Sequence, residues 1–367
     1  MIPINAPQIG EEEIEAVVNV LKGGVLTHGL GAGPMVAKFE EAFSKFVESK
    51  HAIAVNSGTA ALHLAILGAE IKLGDEIILP SFTFVATAET VIMAGAKPVF
   101  VDIDPETYNI SPRKIEEAIT KKTKAIIPVD LYGLPAYLQP IKEIAGKHGL
   151  RIIEDAAQAH GAIYKEKPVG AFADVTCWSF YASKNMTTGE GGMITTNNDE
   201  IAEKILLMRS HGEKEKYKSI MLGYNYRMPE VQAALGCVQL KRLPQFLAKR
   251  RENAERLTAK LKKAGNLLLP IEPKYCKHSW YLYTVRLKDV KRNERDIVVE
   301  KLRQKGIGAE VYYTNPIHIM PYYSKFRKSR LPETEKAAEQ VFSLPIHPSV
   351  STEQIDFISD TVLNLLK

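Results

Sequence analysis

The chain has 367 residues, of which 45% are hydrophobic and 25% charged, close to the average for soluble globular proteins. This composition excludes a disordered, collagenous or disulfide-stapled chain. The length exceeds the ~100–200 residues of one compact domain, so we expect two domains. The start of the chain becomes acidic by Glu11, unlike a secretory signal, and the uncharged run 52–69 is too polar for a membrane span.

The three cysteines, Cys177, Cys237 and Cys276, lie far apart and form no CxxC pair. An odd, sparse set of cysteines is typical of a reducing cytoplasm and argues against a disulfide framework or a zinc site. We therefore expect a cytoplasmic protein without a bound metal.

The net charge of +5 is unevenly distributed, because residues 1–240 carry −6 and residues 241–367 carry +11. The basic part is interpreted either as a solvated surface or as a field that attracts an anionic substrate. A nucleic-acid partner is not expected, since the chain has no zinc finger, RNA-binding aromatic motif or basic-region helix.

The first 200 residues alternate between two kinds of pattern. Short apolar runs predict strands at 52–55, 76–80, 98–103, 125–131, 151–155, 175–180 and 192–196. Helical spacing between the early runs predicts helices at 59–68, 86–94, 111–120 and 139–148. This alternation predicts an α/β domain with a mainly parallel sheet covered by helices on both faces.

The pattern changes after Pro229. We predict helices at 230–240, 246–263, 297–305 and 353–366, and strands at 281–287 and 309–313. The domain boundary is placed near Leu243 and Pro244, giving a large domain (1–243) and a smaller C-terminal α+β domain (244–367). The absence of a Gly/Ser linker predicts that the two domains are docked.

Ligands bind at the carboxyl ends of strands in open α/β sheets. The first predicted strand is followed by NSGTAAL at 56–62, which places small and hydroxyl residues at the start of a helix. Such a start exposes free N–H groups and suits a phosphate. The alternative is an ordinary helix cap made by Ser57 or Thr59.

An acid and a lysine follow two later strands. Asp155 ends the apolar run 151–155, and it is either paired locally or holds the protonated nitrogen of a ligand. Lys184 lies in SFYASKN at 179–185, 29 residues after Asp155 and just before GEGG at 189–192. It is a candidate for a Schiff base, and the alternative is a surface lysine.

Together these features match pyridoxal 5′-phosphate (PLP), whose phosphate needs N–H and hydroxyl donors, whose pyridine nitrogen needs a carboxylate and whose aldehyde needs an amine. Motifs for competing cofactors are missing. GLGAG at 29–33 has the wrong spacing for a dinucleotide fingerprint, and no GxxxxGK[ST] or HExxH occurs.

The chain closely resembles the DegT/DnrJ/StrS-type sugar aminotransferases over essentially its whole length. The resemblance is carried by THGLG (27–31), NSGTAAL (56–62), PSFTFVAT (80–87), VDID (101–104), EDAAQ (154–158), SFYASKN (179–185), GEGG (189–192), GYNYRM (223–228), YY (312–313) and PIH (316–318). These enzymes use PLP and act on nucleotide-linked keto sugars. The resemblance implies fold type I of the PLP-dependent transferases: a large domain with a seven-stranded, mainly parallel sheet in an α/β/α sandwich, and a smaller C-terminal α+β domain.

The resemblance also implies roles for individual residues. Lys184 would carry the Schiff base, Asp155 would pair with the pyridine nitrogen, Gln158 would lie beside the 3′-oxygen, Phe84 would stack on the ring, and Gly58, Thr59 and Ser179 would hold the phosphate. The alternative for Phe84 is a core aromatic.

Three substrate contacts and one contact between subunits are implied in the same way. Asn225 would reach the phosphate of the neighbouring subunit, which predicts a homodimer with shared active sites. We expect this because the segment around Asn225 is poorly placed to fold back onto its own pocket. Arg227, His160 and His318 are candidate substrate contacts, with a structural ion pair or structural histidines as the alternatives.

The implied reaction moves the amino group of L-glutamate onto a nucleotide-linked keto sugar and releases 2-oxoglutarate. A related dehydratase branch has histidine in place of Lys184, so the lysine favours transamination. TTGEGG at 187–192 and GYNYRM at 223–228 resemble the branch that aminates C4 of a 4-keto-6-deoxyhexose. Amination at C3, another PLP reaction such as a dehydratase or lyase, and a non-catalytic regulator stay as alternatives, and the nucleotide (GDP, UDP or dTDP) is open.

Overall fold

The computed structural model describes residues 1–366. Its helices are α1 (Glu11–Gly23), α2 (Pro34–Phe46), α3 (Gly58–Gly68), α4 (Ala86–Met93), α5 (Pro112–Ala118), α6 (Leu138–His148), α7 (Asp199–Arg209), α8 (Glu230–Leu261), α9 (Arg292–Gln304), α10 (Pro332–Gln340) and α11 (Thr352–Leu365). Short 3-10 turns cover Leu131–Gly133, Ile317–Ile319 and Ser324–Phe326.

The strands are β1 (His51–Val55), β2 (Glu76–Pro80), β3 (Lys97–Val101), β4 (Thr123–Ile126), β5 (Arg151–Asp155), β6 (Ile163–Tyr164), β7 (Lys167–Pro168), β8 (Val175–Ser179), β9 (Gly192–Thr196), β10 (Glu213–Glu215), β11 (Lys218–Ser219), β12 (Leu267–Leu268), β13 (Cys276–Lys277), β14 (Tyr283–Leu287) and β15 (Val341–Leu344).

A seven-stranded sheet in the order β1-β9-β8-β5-β4-β2-β3 forms the centre of the protein. Every pair from β8 to β3 is parallel, whereas β9 runs antiparallel to both of its neighbours. All seven strands predicted from the apolar runs belong to this sheet, so the mainly parallel α/β fold is confirmed. The carboxyl ends of β1, β2, β5 and β8 lie at one edge of the sheet, because these strands point the same way.

Helix α3 begins directly after β1 and is apolar on nearly every face. It packs between the sheet and the helices α4 and α7, and its buried residues join the largest apolar cluster of the protein. Such a helix is stable only when it is covered all round. This burial fixes the N-terminus of α3 at the carboxyl edge of the sheet.

Helix α8 corrects one prediction from the sequence. The predicted helices 230–240 and 246–263 form one helix of 32 residues that continues through Pro244. Proline in a helix removes one hydrogen bond and costs about 3 kcal/mol. Leu243 and Phe246 are buried on either side of Pro244, so packing keeps the helix continuous despite this cost.

A second prediction is also wrong. Residues 309–313 were expected to form a strand, but only a single bridge joins Glu310 to Ser343 of β15. The residue that follows this bridge region, Tyr313, has a φ of 63°, which lies outside the extended region that a strand requires.

The C-terminal part has its own three-stranded sheet, β12-β14-β15, and its own apolar core. Ile2 from the N-terminus joins that core, and β13 pairs with β6 from the first half of the chain. The division into residues 1–243 and 244–367 stays a prediction, and α8 runs across it. Within residues 1–366, no helix combines the length and apolarity needed to cross a membrane.

The close packing of α8 on α2 gives a stability prediction. A Cβ at Gly236 in α8 would lie 2.7 Å from Cζ of Phe39, a fully buried ring that packs on Phe180. We expect Gly236→Ala to lower the free energy of unfolding by about 1–3 kcal/mol, because overpacking a core strains it. Urea denaturation measures the change.

Gly146→Ala is the matched control, since Gly146 lies in α6 and no atom would come within 4 Å of its new Cβ. This variant should gain about 0.5–1 kcal/mol from the better helix propensity of alanine. Equal stability of the two variants would contradict the packing argument.

Candidate active site

The N-terminus of α3 forms one side of the candidate site. Ser57 is the N-cap, and its hydroxyl accepts a hydrogen bond from the Ala60 N–H at 3.0 Å. The capping alternative is therefore confirmed for Ser57. The first N–H groups of a helix, here those of Gly58 and Thr59, have no intrahelical acceptor, so they stay available to an anion.

Two glycines keep this helix start close to the neighbouring strands. A Cβ at Gly58 would lie 2.8 Å from Cβ of Ser179, at the end of β8. A Cβ at Gly192, the first residue of β9, would lie 2.3 Å from the carbonyl oxygen of Ser57. The predicted phosphate residues Gly58, Thr59 and Ser179 are thus brought together, in a cradle that a side chain at Gly58 would fill.

Asp155 is buried at the end of β5. Its Oδ2 accepts a hydrogen bond from the Thr87 hydroxyl at 2.8 Å, and its Oδ1 accepts one from the Ala157 N–H at 3.2 Å. Burial raises the pKa of the Asp155 carboxyl, while these two donors and the charge of Lys184 act to lower it. No ion pair within residues 1–366 involves this carboxylate, so a positively charged group of a ligand would find it unpaired.

Lys184 lies in the middle of the loop that connects β8 and β9. Its Nζ stands 4.7 Å from the centre of the Tyr281 ring, and the Tyr281 hydroxyl is 2.9 Å from Oγ of Ser183. The neighbouring Asn185 donates a hydrogen bond to the Ser279 carbonyl at 2.9 Å. Contacts of both of its neighbours therefore hold the lysine beside the C-terminal part of the protein, and its charge acts on the Asp155 carboxyl.

Gln158 lies in the turn that follows Asp155. Its Oε1 accepts a hydrogen bond from the Tyr132 N–H at 2.7 Å, and its Nε2 donates one to the Tyr313 hydroxyl at 2.9 Å. Both ends of the amide are therefore fixed. The structure brings Gln158 and Asp155 to the same edge of the sheet.

Phe84 follows β2 and is 59% exposed. The alternative of a core aromatic is therefore wrong. Its loop is joined to Asp155, because Thr83 contacts the Thr87 hydroxyl that bonds the carboxylate. An exposed ring at the edge where ligands bind is available to stack on a planar group.

The two candidate substrate histidines are fully buried. His160 packs between the rings of Trp178 and Phe180, and burial lowers its pKa to about 3. His318 contacts the Ser81 hydroxyl at 2.7 Å and Glu335 at 3.4 Å, and burial lowers its pKa. This placement favours the structural alternative for both, and their contact with substrate stays a prediction.

Asn225 and Arg227 lie beside their own chain. The backbone of Arg227 bridges to Val55 at the end of β1, and the Asn225 carbonyl accepts from the Asn56 side chain at 3.3 Å. The expectation that this segment is poorly placed to fold back toward its own pocket is therefore wrong, because the segment lies beside the end of β1. The Asn225 side chain is exposed, and Arg227 donates to the Ser210 hydroxyl at 3.0 Å without an ion pair in the described chain.

Three residues at the site were not predicted: Thr87, Tyr281 and Tyr313. Thr87 and Tyr313 lie in segments that carried the family resemblance, PSFTFVAT and YY, so a signal for them existed. Tyr281 lies in a predicted strand with no polar motif, and only the folded chain places it over Lys184.

The bond from Thr87 to Asp155 gives a prediction about charge. The hydroxyl donates to the ionised carboxylate and so favours it. We expect Thr87→Val to raise the pKa of Asp155. The measurement is an NMR titration of protein labelled with ¹³C at the aspartate carboxyl carbons. The resonance that is absent from Asp155→Asn belongs to Asp155, and its pH dependence gives the pKa.

Thr90→Val is the control for this prediction. Thr90 is a buried threonine of the same helix, and its hydroxyl donates to the Ala86 carbonyl at 2.8 Å. It should leave the pKa of Asp155 unchanged. An unchanged or lower pKa in Thr87→Val would show that this hydrogen bond does not control the charge.

Comparisons with known proteins agree with the fold and identify the family of the chain. The sequence profile described as the DegT/DnrJ/EryC1/StrS aminotransferase family matches residues 7–363. GDP-perosamine synthase of Caulobacter vibrioides is 39% identical over 358 residues, which cover 97% of this chain and 95% of that protein.

Two solved structures have the same fold over nearly their full length. S. venezuelae DesV superposes with a TM-score of 0.92 at 36% identity, covering 97% of this chain and 94% of that one. Helicobacter pylori PseC, an aminotransferase involved in the biosynthesis of pseudoaminic acid, has a TM-score of 0.93 at 32% identity, covering 100% and 99%.

Enzymes of this family depend on PLP. The residues present here fit that cofactor: an open cradle lies at Gly58, an unpaired buried carboxylate at Asp155, and an amine at Lys184. The chain belongs to the DegT/DnrJ/EryC1/StrS aminotransferase family and is a PLP-dependent sugar aminotransferase.

Proposed function

We propose that this protein transfers the amino group of L-glutamate to C4 of a nucleotide-linked 4-keto-6-deoxyhexose, giving an amino sugar nucleotide and 2-oxoglutarate. The observation that carries the proposal is the convergence of Asp155, Lys184 and the start of α3 on one edge of the sheet. The relative named GDP-perosamine synthase supports a nucleotide-linked sugar, and TTGEGG and GYNYRM support C4 over C3.

Each residue of the cluster has a distinct task in this proposal. Gly58, Thr59 and Ser179 hold the phosphate through N–H and hydroxyl donors, and Phe84 stacks on the ring. PLP, when bound, supplies a conjugated ring that accepts the electron pair left on the donor carbon. Asp155 keeps the proton on the pyridine nitrogen, because an ionised carboxylate there stabilises the positive charge.

Lys184 moves the proton of the reaction. Its Nζ takes the proton from Cα of glutamate and, in the return half-reaction, gives a proton to C4 of the sugar. The Tyr281 ring beside Nζ excludes water on one side of the amine. Gln158, whose Oε1 and Nε2 are both held by hydrogen bonds, would lie beside the 3′-oxygen of PLP.

A homodimer with shared active sites is part of the proposal. Phe84 and Tyr181 are 59% and 50% exposed beside the site, and Ile14, Val18 and Leu21 form an exposed apolar stripe on α1. A second copy of the chain would cover these side chains. Asn225, exposed in one chain, then reaches the phosphate in the other, and the cysteine pattern supports a cytoplasmic location.

The test of the function is the product. Purified protein is incubated with L-glutamate and a panel of nucleotide-linked 4-keto and 3-keto sugars, and mass spectrometry and NMR identify the amino sugar. We expect amination at C4 with release of one 2-oxoglutarate per amino sugar.

Lys184→Ala should abolish turnover, because it removes the amine that takes the proton from Cα. Lys142→Ala is the control, since Lys142 is an exposed residue of α6 whose Nζ stands 5.8 Å from the centre of the Phe172 ring. Amination only at C3 would overturn the regiochemistry, and a product formed without 2-oxoglutarate would overturn transamination.

A mixing experiment tests the shared site. Lys184→Ala homodimers are expected to be inactive, and Asn225→Asp homodimers weakly active, since Asn225→Asp sets a carboxylate against the phosphate. After subunit exchange of an equal mixture, about a quarter of all sites should be intact, because half of the dimers are mixed and each has one complete site.

The matched control mixes Lys184→Ala with Asp155→Ala chains. Both changes fall in the part of the site that one chain supplies, so no intact site forms and no activity should return. If exchange is shown and Asn225→Asp rescues nothing, then Asn225 does not serve the neighbouring site.

A further inference from the structure

Two further carboxyl groups lie buried beside Asp155. Asp130 follows β4 and Glu154 lies within β5, and both side chains are completely buried. The Asp130 N–H donates to the Asp155 carbonyl at 3.0 Å, which ties the two backbone segments together. The reaction proposed above uses neither carboxyl group.

Asp130 and Glu154 have too few hydrogen-bond donors around them for both carboxyl groups to be ionised. Asp130 Oδ1 accepts from the Ala136 N–H at 2.8 Å, and Glu154 Oε2 accepts from the Thr176 hydroxyl at 3.1 Å. The remaining oxygens, Asp130 Oδ2 and Glu154 Oε1, find no donor among the described residues. The two carboxyl groups lie on neighbouring strand ends, because Val129 bridges to Asp155, and each acts on the pKa of the other. Ionised carboxylates are acceptors only, so a bond between them requires a proton.

No positive charge replaces that proton. Within residues 1–366, no cluster fit to hold a metal ion exists and neither carboxyl joins an ion pair. The titratable groups that face the pair are Asp155 on β5, Cys177 on β8 and Cys276 on β13, and the Gly170 backbone lies close to Glu154. Burial raises the pKa of Glu154 to about 7 and that of Asp130 well above its usual range.

We propose that Asp130 and Glu154 share one proton at neutral pH and act as a positioning pair for Asp155. The functional part of this inference rests on the proposed role of Asp155, whereas the shared proton does not depend on that role. The proton removes one of three negative charges and joins the ends of β4 and β5. Asp155 then stays the ionised carboxylate, because Thr87 and Ala157 donate to it and Lys184 faces it.

Infrared spectroscopy of the wild-type holoenzyme at pH 6 tests the proposal. Carboxyl groups in water are ionised at this pH, since their pKa values are about 4. We expect a carbonyl band of a neutral carboxylic acid that shifts with ¹³C labelling and disappears in both Asp130→Asn and Glu154→Gln. Asp102→Asn is the control: Asp102 is a buried carboxylate with three backbone donors, and its loss should leave the band in place.

The amide variants also carry a functional readout. Each amide N–H replaces the shared proton and keeps the net charge beside Asp155, so most of the wild-type turnover should remain. A carboxyl group whose pKa is raised on folding stabilises the folded state at low pH, and this stabilisation is lost as the pH rises. Between about pH 4.3 and 7, the wild-type folding constant should therefore fall up to about tenfold per pH unit for this proton, and the amides should lack that part of the slope.

Thr176→Val keeps the test decisive if the amide variants do not fold. It removes a donor that favours ionised Glu154, so the band should persist to higher pH than in the wild type, while Thr90→Val should not move it. Absence of the band in the wild type, or its survival in both amide variants, overturns the proposal. If the band is present but no amino sugar forms, the proposed function is refuted and the shared proton between Asp130 and Glu154 stands.

Discussion

The buried carboxylate of Asp155 is the constraint around which the site is built. A charge at the centre of a sheet is costly unless donors and a cation surround it. Thr87 from α4 and Ala157 from the following turn supply the donors, and Lys184 comes from the β8–β9 loop. Meeting the needs of one carboxylate thus brings three separate segments to the same edge of the sheet.

Much of this arrangement could be predicted from the sequence because its causes are local. Apolar runs of four to seven residues specify buried strands, and all seven were found in the sheet. Polar residues that follow such runs must lie at the carboxyl edge, which placed Asp155, Lys184 and the start of α3 together. The domain division and the roles of the site residues stay predictions.

What was missed depends on contacts between distant parts of the chain. Tyr281 meets Lys184 only after the C-terminal part has packed on the sheet, 97 positions further along the chain. Proline ends most helices, but at Pro244 the packing of buried neighbours outweighs the local cost of the proline. The exposure of Phe84 and the burial of His160 likewise depend on which surfaces tertiary packing covers, and residue type alone does not determine this.

The reversed direction of β9 has a mechanical consequence for Lys184. Because β8 ends and β9 begins at the same edge, the loop between them leaves and returns at one place, with Ser179 opposite Gly192. Inside it, the Phe180 carbonyl accepts from Thr188, and the Phe180 N–H bonds to Gly191. These bonds close the loop at its base, so we expect Lys184 to move mainly by rotation of its own side chain. The reach of its Nζ is then set by the four methylene groups of the side chain, which keeps the amine close to this edge of the sheet.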